Sequence, residues 1–179
     1  TPESAAICAR ECAAGRAPVT MANAERAILA RLRAMREEDL APFDGGGEGL
    51  YHRFYDAVQR ETTIDGILAA AKSKRYAYAR LRRLLLAAYL GVTPEDIPQR
   101  VPYLRVLACN ARGRELLRYM KTTAAAPVLT RSADVRRLDT DAQRLFALTA
   151  RAEEQYTLAY PSLAAAKPGS AWTTDPVIL

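Results

Sequence analysis

The chain has 179 residues, half of them apolar, and a formal net charge of +6. That is enough apolar material for a sizeable core, and it argues against global disorder. The longest uninterrupted apolar run, residues 84–90, is far short of the ~20 residues needed to cross a bilayer.

The opening residues 3–14 read as a short helix ended by Gly15. They hold Cys8 and Cys12 one turn apart, read as small apolar residues on a helix; a zinc site would need Cys109 and the single His52 to complete it. Thr20 is the expected N-cap of a second helix over residues 21–35, with Ala24, Ile28, Leu32 and Met35 on its apolar face. Residues 37–43 (EEDLAPF) read as a frayed turn stopped at Pro42, and residues 44–49 (DGGGEG) as a flexible hinge. That glycine run lacks the Gly-Lys-Ser/Thr ending of a phosphate loop and follows no strand.

After the hinge, residues 50–60 carry Leu50, Phe54, Ala57 and Val58 on one side of an amphipathic helix. Thr63 caps the next, IDGILAAAKS, with Asp65 in the first turn where the helix dipole favours an acid. A helix starting near Arg75 then places Leu81, Leu84, Leu85 and Ala88 inward and stops at Gly91. Residues 103–108 (YLRVLA) and 127–130 (PVLT) read as short strands. The helix RELLRYMKT between them is expected to bury Leu116, Leu117 and Met120 on one face. Two strands joined in this way call for a parallel pair with a right-handed crossover. Ser132 and Thr140 are the expected caps of a short helix and a longer one ending at Pro161. Residues 167–179 read as an extended tail anchored by Trp172. The expected fold is mainly α, a multi-helix bundle with one small β-α-β element of two short parallel strands.

The charge is unevenly placed. Residues 1–71 have a net charge of −3, residues 72–121 of +9, and residues 122–179 of zero. Local density governs attraction to phosphate, because charges beyond a Debye length cancel little. Arg outnumbers Lys 22 to 4, so clustering carries more weight than Arg content.

The densest cluster is KSKRYAYARLRR, residues 72–83, with six cations and no acid. On a helix from Arg75, the residues Arg75, Tyr78 and Arg82 share one stripe, and Tyr76, Arg80 and Arg83 the next. Lys72 and Lys74 stand at the entry. Guanidinium groups fork onto phosphate oxygens and tyrosines stack on unpaired bases, so this face is read as an RNA-contacting surface. A second group, Arg105, Arg112, Arg114, Arg118 and Lys121, surrounds the Asn110-Ala-Arg-Gly-Arg turn, a helix start suited to anions. Acid–base or nucleophilic chemistry finds less support. His52 is alone, and the adjacent carboxylates Glu37-Glu38-Asp39 and Glu153-Glu154 point in different directions on a helix. No catalytic residue and no metal ligand is assigned.

Several blocks occur in an order that resembles a known family. GEGLYHRFYDA, KSKRYAYARLRRLLLAAYLG, PYLRVLACNARGRELL and APVLT look like successive segments of the bacterial tRNA(Met) cytidine acetate ligases. AEEQYTLAYP and Pro176-Val-Ile are similar to that family's carboxyl end, and AAGRAPVTMANAERAILARLR to the segment after its catalytic domain. The resemblance implies a parent enzyme with a nucleotidyltransferase-like domain bearing a His-x-Gly-His motif. That enzyme activates acetate with ATP and acetylates the wobble cytidine of elongator tRNA(Met). No such motif occurs in these residues, and the chain opens Thr-Pro. It is therefore expected to be the carboxyl-terminal half, with residues 1–43 following the catalytic domain and residues 44–179 forming a helical RNA-binding domain. ATP and acetate belong to the parent and no cofactor to these residues. The implied partners are tRNA and the enzyme's own amino-terminal domain, with no membrane. With its odd number of cysteines and no basic-then-apolar leader, the chain is expected in the cytoplasm. The tRNA-binding role is carried to Lys72, Lys74, Arg75, Tyr76, Arg80 and Arg83, with Arg82, Arg112 and Arg114 added from their charge and placement. The alternatives are a protein-interaction or dimerisation domain, and a nucleotide-binding fragment supported by the glycine run alone.

Overall fold

The computed structural model describes residues 1–45 and 49–178. The architecture is mainly α and divides into two compact units, each interrupted in sequence. The first is Thr1–Asp96 with Gln155–Lys167, and the second is Ile97–Glu154 with Pro168–Leu179.

The first unit holds α1 (Pro2–Ala13), α2 (Glu25–Arg33), α3 (Glu37–Asp44), α4 (Leu50–Arg60), α5 (Ile64–Ala71) and α6 (Tyr78–Leu90). The apolar spacing read from the sequence builds its core. Ile28 and Leu32 of α2, Leu50 and Phe54 of α4, Ile67 and Leu68 of α5, and Leu81 and Leu85 of α6 are essentially inaccessible and form one cluster. Leu40 of α3 belongs to the same cluster, so this core draws on residues from both sides of position 43.

Two helices differ from expectation. Helix α2 begins at Glu25, because Thr20–Asn23 is a turn: Asn23 donates its side-chain amide to the carbonyls of Pro18 (3.0 Å) and Ala159 (2.9 Å). Residues 37–44 are a helix with Pro42 inside it. The Arg36 backbone N–H and the Asp39 carboxylate close its first turn, and buried Leu40 and Asp44 hold it down. Pro42 has only its last turn to disturb. Of the expected hinge, Gly45 and Gly49 adopt left-handed φ values of 62° and 72°, and Gly46, Gly47 and Glu48 lie outside the described residues. Gly15, also left-handed, ends α1 where space is minimal. A Cβ there would meet the Ser162 Cβ at 2.6 Å, and the Ser162 N–H donates to the Gly15 carbonyl at 3.1 Å.

The second unit contains β1 (Leu104–Arg105), β2 (Ala108–Cys109), α7 (Ala111–Thr123), β3 (Val128–Leu129), the greater part of α8 (Thr140–Thr157), α9 (Ser170–Thr173) and β4 (Val177–Ile178). The single strand expected over residues 103–108 is two dipeptides with different partners. β1 pairs in parallel with β3, and β2 pairs in parallel with β4. The tail is therefore not merely extended. It includes a one-turn helix whose Ala171 is fully buried, while Trp172 stays half exposed and packs edge-on against Phe146 at 4.8 Å. Residues 132–137 form a 3₁₀ segment. The cap of α8 is Asp139, whose carboxylate accepts from the Ala142 N–H at 2.8 Å, and that helix stops at Thr157. The core is small: Leu129, Val135, Leu138, Ala142, Phe146 and Ala150 with Ala171.

Candidate nucleic-acid interface

The first basic stretch is only partly helical. Ser73 Oγ accepts the Tyr76 N–H at 3.2 Å, a local turn that competes with helix, and α6 starts at Tyr78 behind an extended Ala77. The stripe expected to join Arg75 to Tyr78 and Arg82 on a helix is therefore broken. Tyr76 is 7% exposed and belongs to the core of the first unit, so its face is unavailable for stacking on a base. Arg75 and Arg80 lie over its ring, at 5.7 and 5.5 Å. Arg80 is turned inward as well, with Nη2 3.2 Å from Asp44 Oδ1. Asp44 is buried, and its other oxygen accepts the Leu50 N–H at 3.0 Å, fixing the start of α4. Arg80 therefore neutralises a buried acid.

The rest of the stretch faces solvent: Lys72, Lys74, Arg75, Arg82 and Arg83, with Tyr78 44% exposed. Lys72 Nζ stands 5.5 Å from the Tyr78 ring centroid. Among the described residues, no carboxylate pairs with Lys74, Arg82 or Arg83. The surface is a short arc of cations around one exposed tyrosine, smaller than the two-tyrosine face expected.

The second basic group lies in the other unit and behaves differently. Asn110 caps α7 by accepting the Gly113 N–H at 2.8 Å, as its sequence predicts. The helix nonetheless buries nothing: Leu116 is 58% and Tyr119 67% exposed, against the expected packed face. Arg112, Arg114, Arg118 and Lys121 are all exposed along it. Arg105 is structural. Its Nη2 donates to the Ala171 carbonyl at 3.1 Å, Nη1 lies 3.6 Å from Glu153, and its guanidinium stands over Phe146 at 5.1 Å.

One side of α7 borders a cleft of about 420 Å³. Arg114, Arg118 and Lys121 line it together with Arg131, and among the described residues Asp175 is its one acid. Val106, Leu117, Pro176 and Ile178 supply apolar lining, with Cys109 beside them. Arg131 and Asp175 escaped the sequence reading because both stand at the ends of very short strands, where only the pairing brings them beside α7.

His52 Nδ1 lies 2.6 Å from Glu37 Oε1 at the surface. Cys8 and Cys12 are exposed on α1, in a different unit from Cys109. Among the described residues no helix is long and apolar enough to cross a membrane.

The profile of the HIGH Nucleotidyl Transferase family matches residues 1–170. This chain belongs to that family. Similar curated proteins include the tRNA(Met) cytidine acetate ligase of Syntrophomonas wolfei, 28% identical over 99% of this chain and 45% of its own length. The ligase of Kosmotoga olearia is 37% identical over 71% of this chain and 31% of its own. Crystal structures of Thermotoga maritima TmcAL, one apo and one bound with alpha-thio ATP, superpose with a TM-score of 0.87 at 25% identity, covering 95% of this chain. The chain spans less than half the length of these relatives.

Proposed function

We propose that this chain is the tRNA-binding part of an ATP-dependent tRNA(Met) cytidine acetate ligase, with acetate activation and acetyl transfer carried by a nucleotidyltransferase-like domain outside these residues. The observation that carries this reading is the set of exposed cations lacking acidic partners: Lys74, Arg82 and Arg83 in the first unit, Arg112, Arg114 and Arg118 in the second. Surface cations are ordinarily balanced by neighbouring carboxylates, and cations left unbalanced attract a polyanion. Lys72 extends the first group, and Arg75 is exposed on the same stretch. Tyr76 and Arg80 contribute by fixing the shape of that surface. The named activity of the relatives supplies tRNA(Met) as the polyanion and ATP as the parent's cofactor. The division of the chain into residues 1–43 and an RNA-binding remainder becomes, on this reading, two basic surfaces carried by separate units.

Filter binding of elongator tRNA(Met) tests it. Roughly five phosphate contacts give a log–log salt slope of about −4, or a loss of about two orders of magnitude in affinity between 50 and 200 mM salt. Arg82→Glu with Arg83→Glu should remove most of the binding at 100 mM salt. Absent or salt-insensitive binding would sink the reading. A second reading, a protein-interaction or dimerisation domain, draws on Ile97, Val101 and Leu107, each at least 65% exposed in the second unit. A strictly monomeric species by sedimentation from 1 to 100 μM would count against self-association.

A further inference from the structure

The cleft beside α7 has a composition that the general charge of the surface does not explain. Arg114, Arg118 and Lys121 occur at steps of four and three residues, which is one stripe of a helix. At 1.5 Å per residue the stripe runs roughly 10 Å along the axis, more than a single phosphate group occupies. Arg131 faces it from the segment after β3, near the hydroxyl of Thr130 that accepts from Lys121 Nζ at 3.2 Å. Arg114 and Arg118 have no carboxylate partner among the described residues, and Arg131 reaches Asp134 only at 3.6 Å with its side chain 66% exposed. Between the cations the lining is apolar, from Leu117, Val106 and Ile178. The volume lies within the range of small-molecule sites.

A ligand that fits both halves of this lining carries several anionic groups along a backbone and an uncharged planar body between them. We propose that the cleft seats one unstacked nucleotide of a single-stranded RNA segment, its base against Leu117 and Ile178 and its flanking phosphates on Arg114, Arg118 and Lys121. The proposal deepens the tRNA-binding reading and rests on it. Single strands are recognised in this way, by phosphates on a basic groove and bases against apolar or aromatic faces. The length of the cationic stripe favours a strand over a free mononucleotide. Asp175 disfavours an acidic peptide and can accept from the exocyclic amino group of a base, as carboxylates do from amino-bearing bases elsewhere.

The test uses a fluorescently labelled seven-nucleotide oligoadenylate at 50 mM salt, with a matched strand abasic at its centre. The intact strand should bind at least fivefold more tightly than the abasic one. Arg114→Glu with Arg118→Glu should weaken both strands tenfold or more. Cys109→Trp fills the apolar side without altering charge, and should abolish the difference between the strands. Should that variant fail to fold by circular dichroism, alkylation decides. In a Cys8→Ser, Cys12→Ser background the intact strand should slow reaction of Cys109 with iodoacetamide, and AMP at equal phosphate concentration should not. Equal affinity for both strands together with an unprotected Cys109 overturns the proposal, as does equal protection by AMP or by oligoglutamate. If tRNA binding depends on Arg82 and Arg83 while Cys109 stays unprotected, the cleft assignment fails and the broader reading stands. If tRNA does not bind the wild-type chain at all, the broader reading itself fails.

Discussion

The two basic regions look alike as sequence and differ in what their cations do. Around α6 the positive charge is partly consumed by the fold. Arg80 holds the buried carboxylate of Asp44, and Tyr76 supports two guanidinium groups from inside the core. Along α7 the helix buries nothing, and its Arg side chains line a cleft or stand in solvent. A buried acid recruits a cation because the alternative is an uncompensated charge in a poorly solvated place. An exposed helix over a small core imposes no such demand. The contrast separates cations kept for folding from cations available to a ligand, and it is testable one residue at a time.

The largest difference should appear in stability. Asp44→Ala removes the Asp44 carboxylate from the Arg80 guanidinium, 29% exposed, and also the acceptor for the Leu50 N–H. A loss of about 3 kcal/mol is expected, at the lower end for breaking a buried pair because Arg80 keeps some access to water. Urea unfolding measures it. Arg114→Ala, by contrast, should change stability by no more than about 0.5 kcal/mol while weakening RNA binding. If Asp44→Ala is neutral, the distinction between structural and available cations fails on its stronger side.

Tyrosines sharpen the same comparison at a somewhat smaller scale. Tyr76→Ala opens a cavity in the first unit's core and should cost about 3 kcal/mol, less any relaxation of the surrounding side chains. Tyr119, two-thirds exposed on α7, should tolerate alanine with a change too small to resolve by the same unfolding measurement. Comparable losses at both positions would mean that α7 is packed more firmly than its exposure indicates.

Much of the first unit was legible because its helices are long, regularly patterned and face one core. Leu50, Phe54, Ala57 and Val58, and Leu81, Leu84, Leu85 and Ala88, are all buried, as spacing alone indicates. The start of α6 was not, because it depends on a hydroxyl three residues before Tyr76 and on where the Tyr76 ring finds space. The Asp44–Arg80 pair joins positions 36 residues apart, and no local rule links them. In the second unit apolar periodicity misled. Leu116 obeys the helical pattern yet remains exposed, since a period says which residues share a face and not that anything covers it. The strands there are two residues long, below what alternation can mark, so Arg131 and Asp175 had no sequence signature as lining of the same cleft as Arg118.

The smallest effect concerns a third use of charge, at the amino end of α3. Asp39 Oδ2 accepts the Arg36 backbone N–H at 2.9 Å, and Oδ1 accepts from the Arg36 guanidinium at 3.2 Å. The backbone bond first and the guanidinium second hold its carboxyl below its ordinary value of 3.8. The folded state therefore favours the ionised form. Its contribution is fully present above the ordinary value and is lost as pH falls below about 3.8 and through the folded value. The side chain is well solvated, so the increment is small. Asp39→Asn retains a carbonyl oxygen for the N–H and removes the charge. The stability gap between wild type and this variant should narrow as pH drops from 5 to 2, by urea unfolding followed at 222 nm. Because the backbone bond outweighs the guanidinium, 0.5 M salt should leave most of that pH dependence in place. A gap that salt erases would assign the effect to the ion pair, and one that stays constant with pH would show that Asp39 acts only as a hydrogen-bond acceptor.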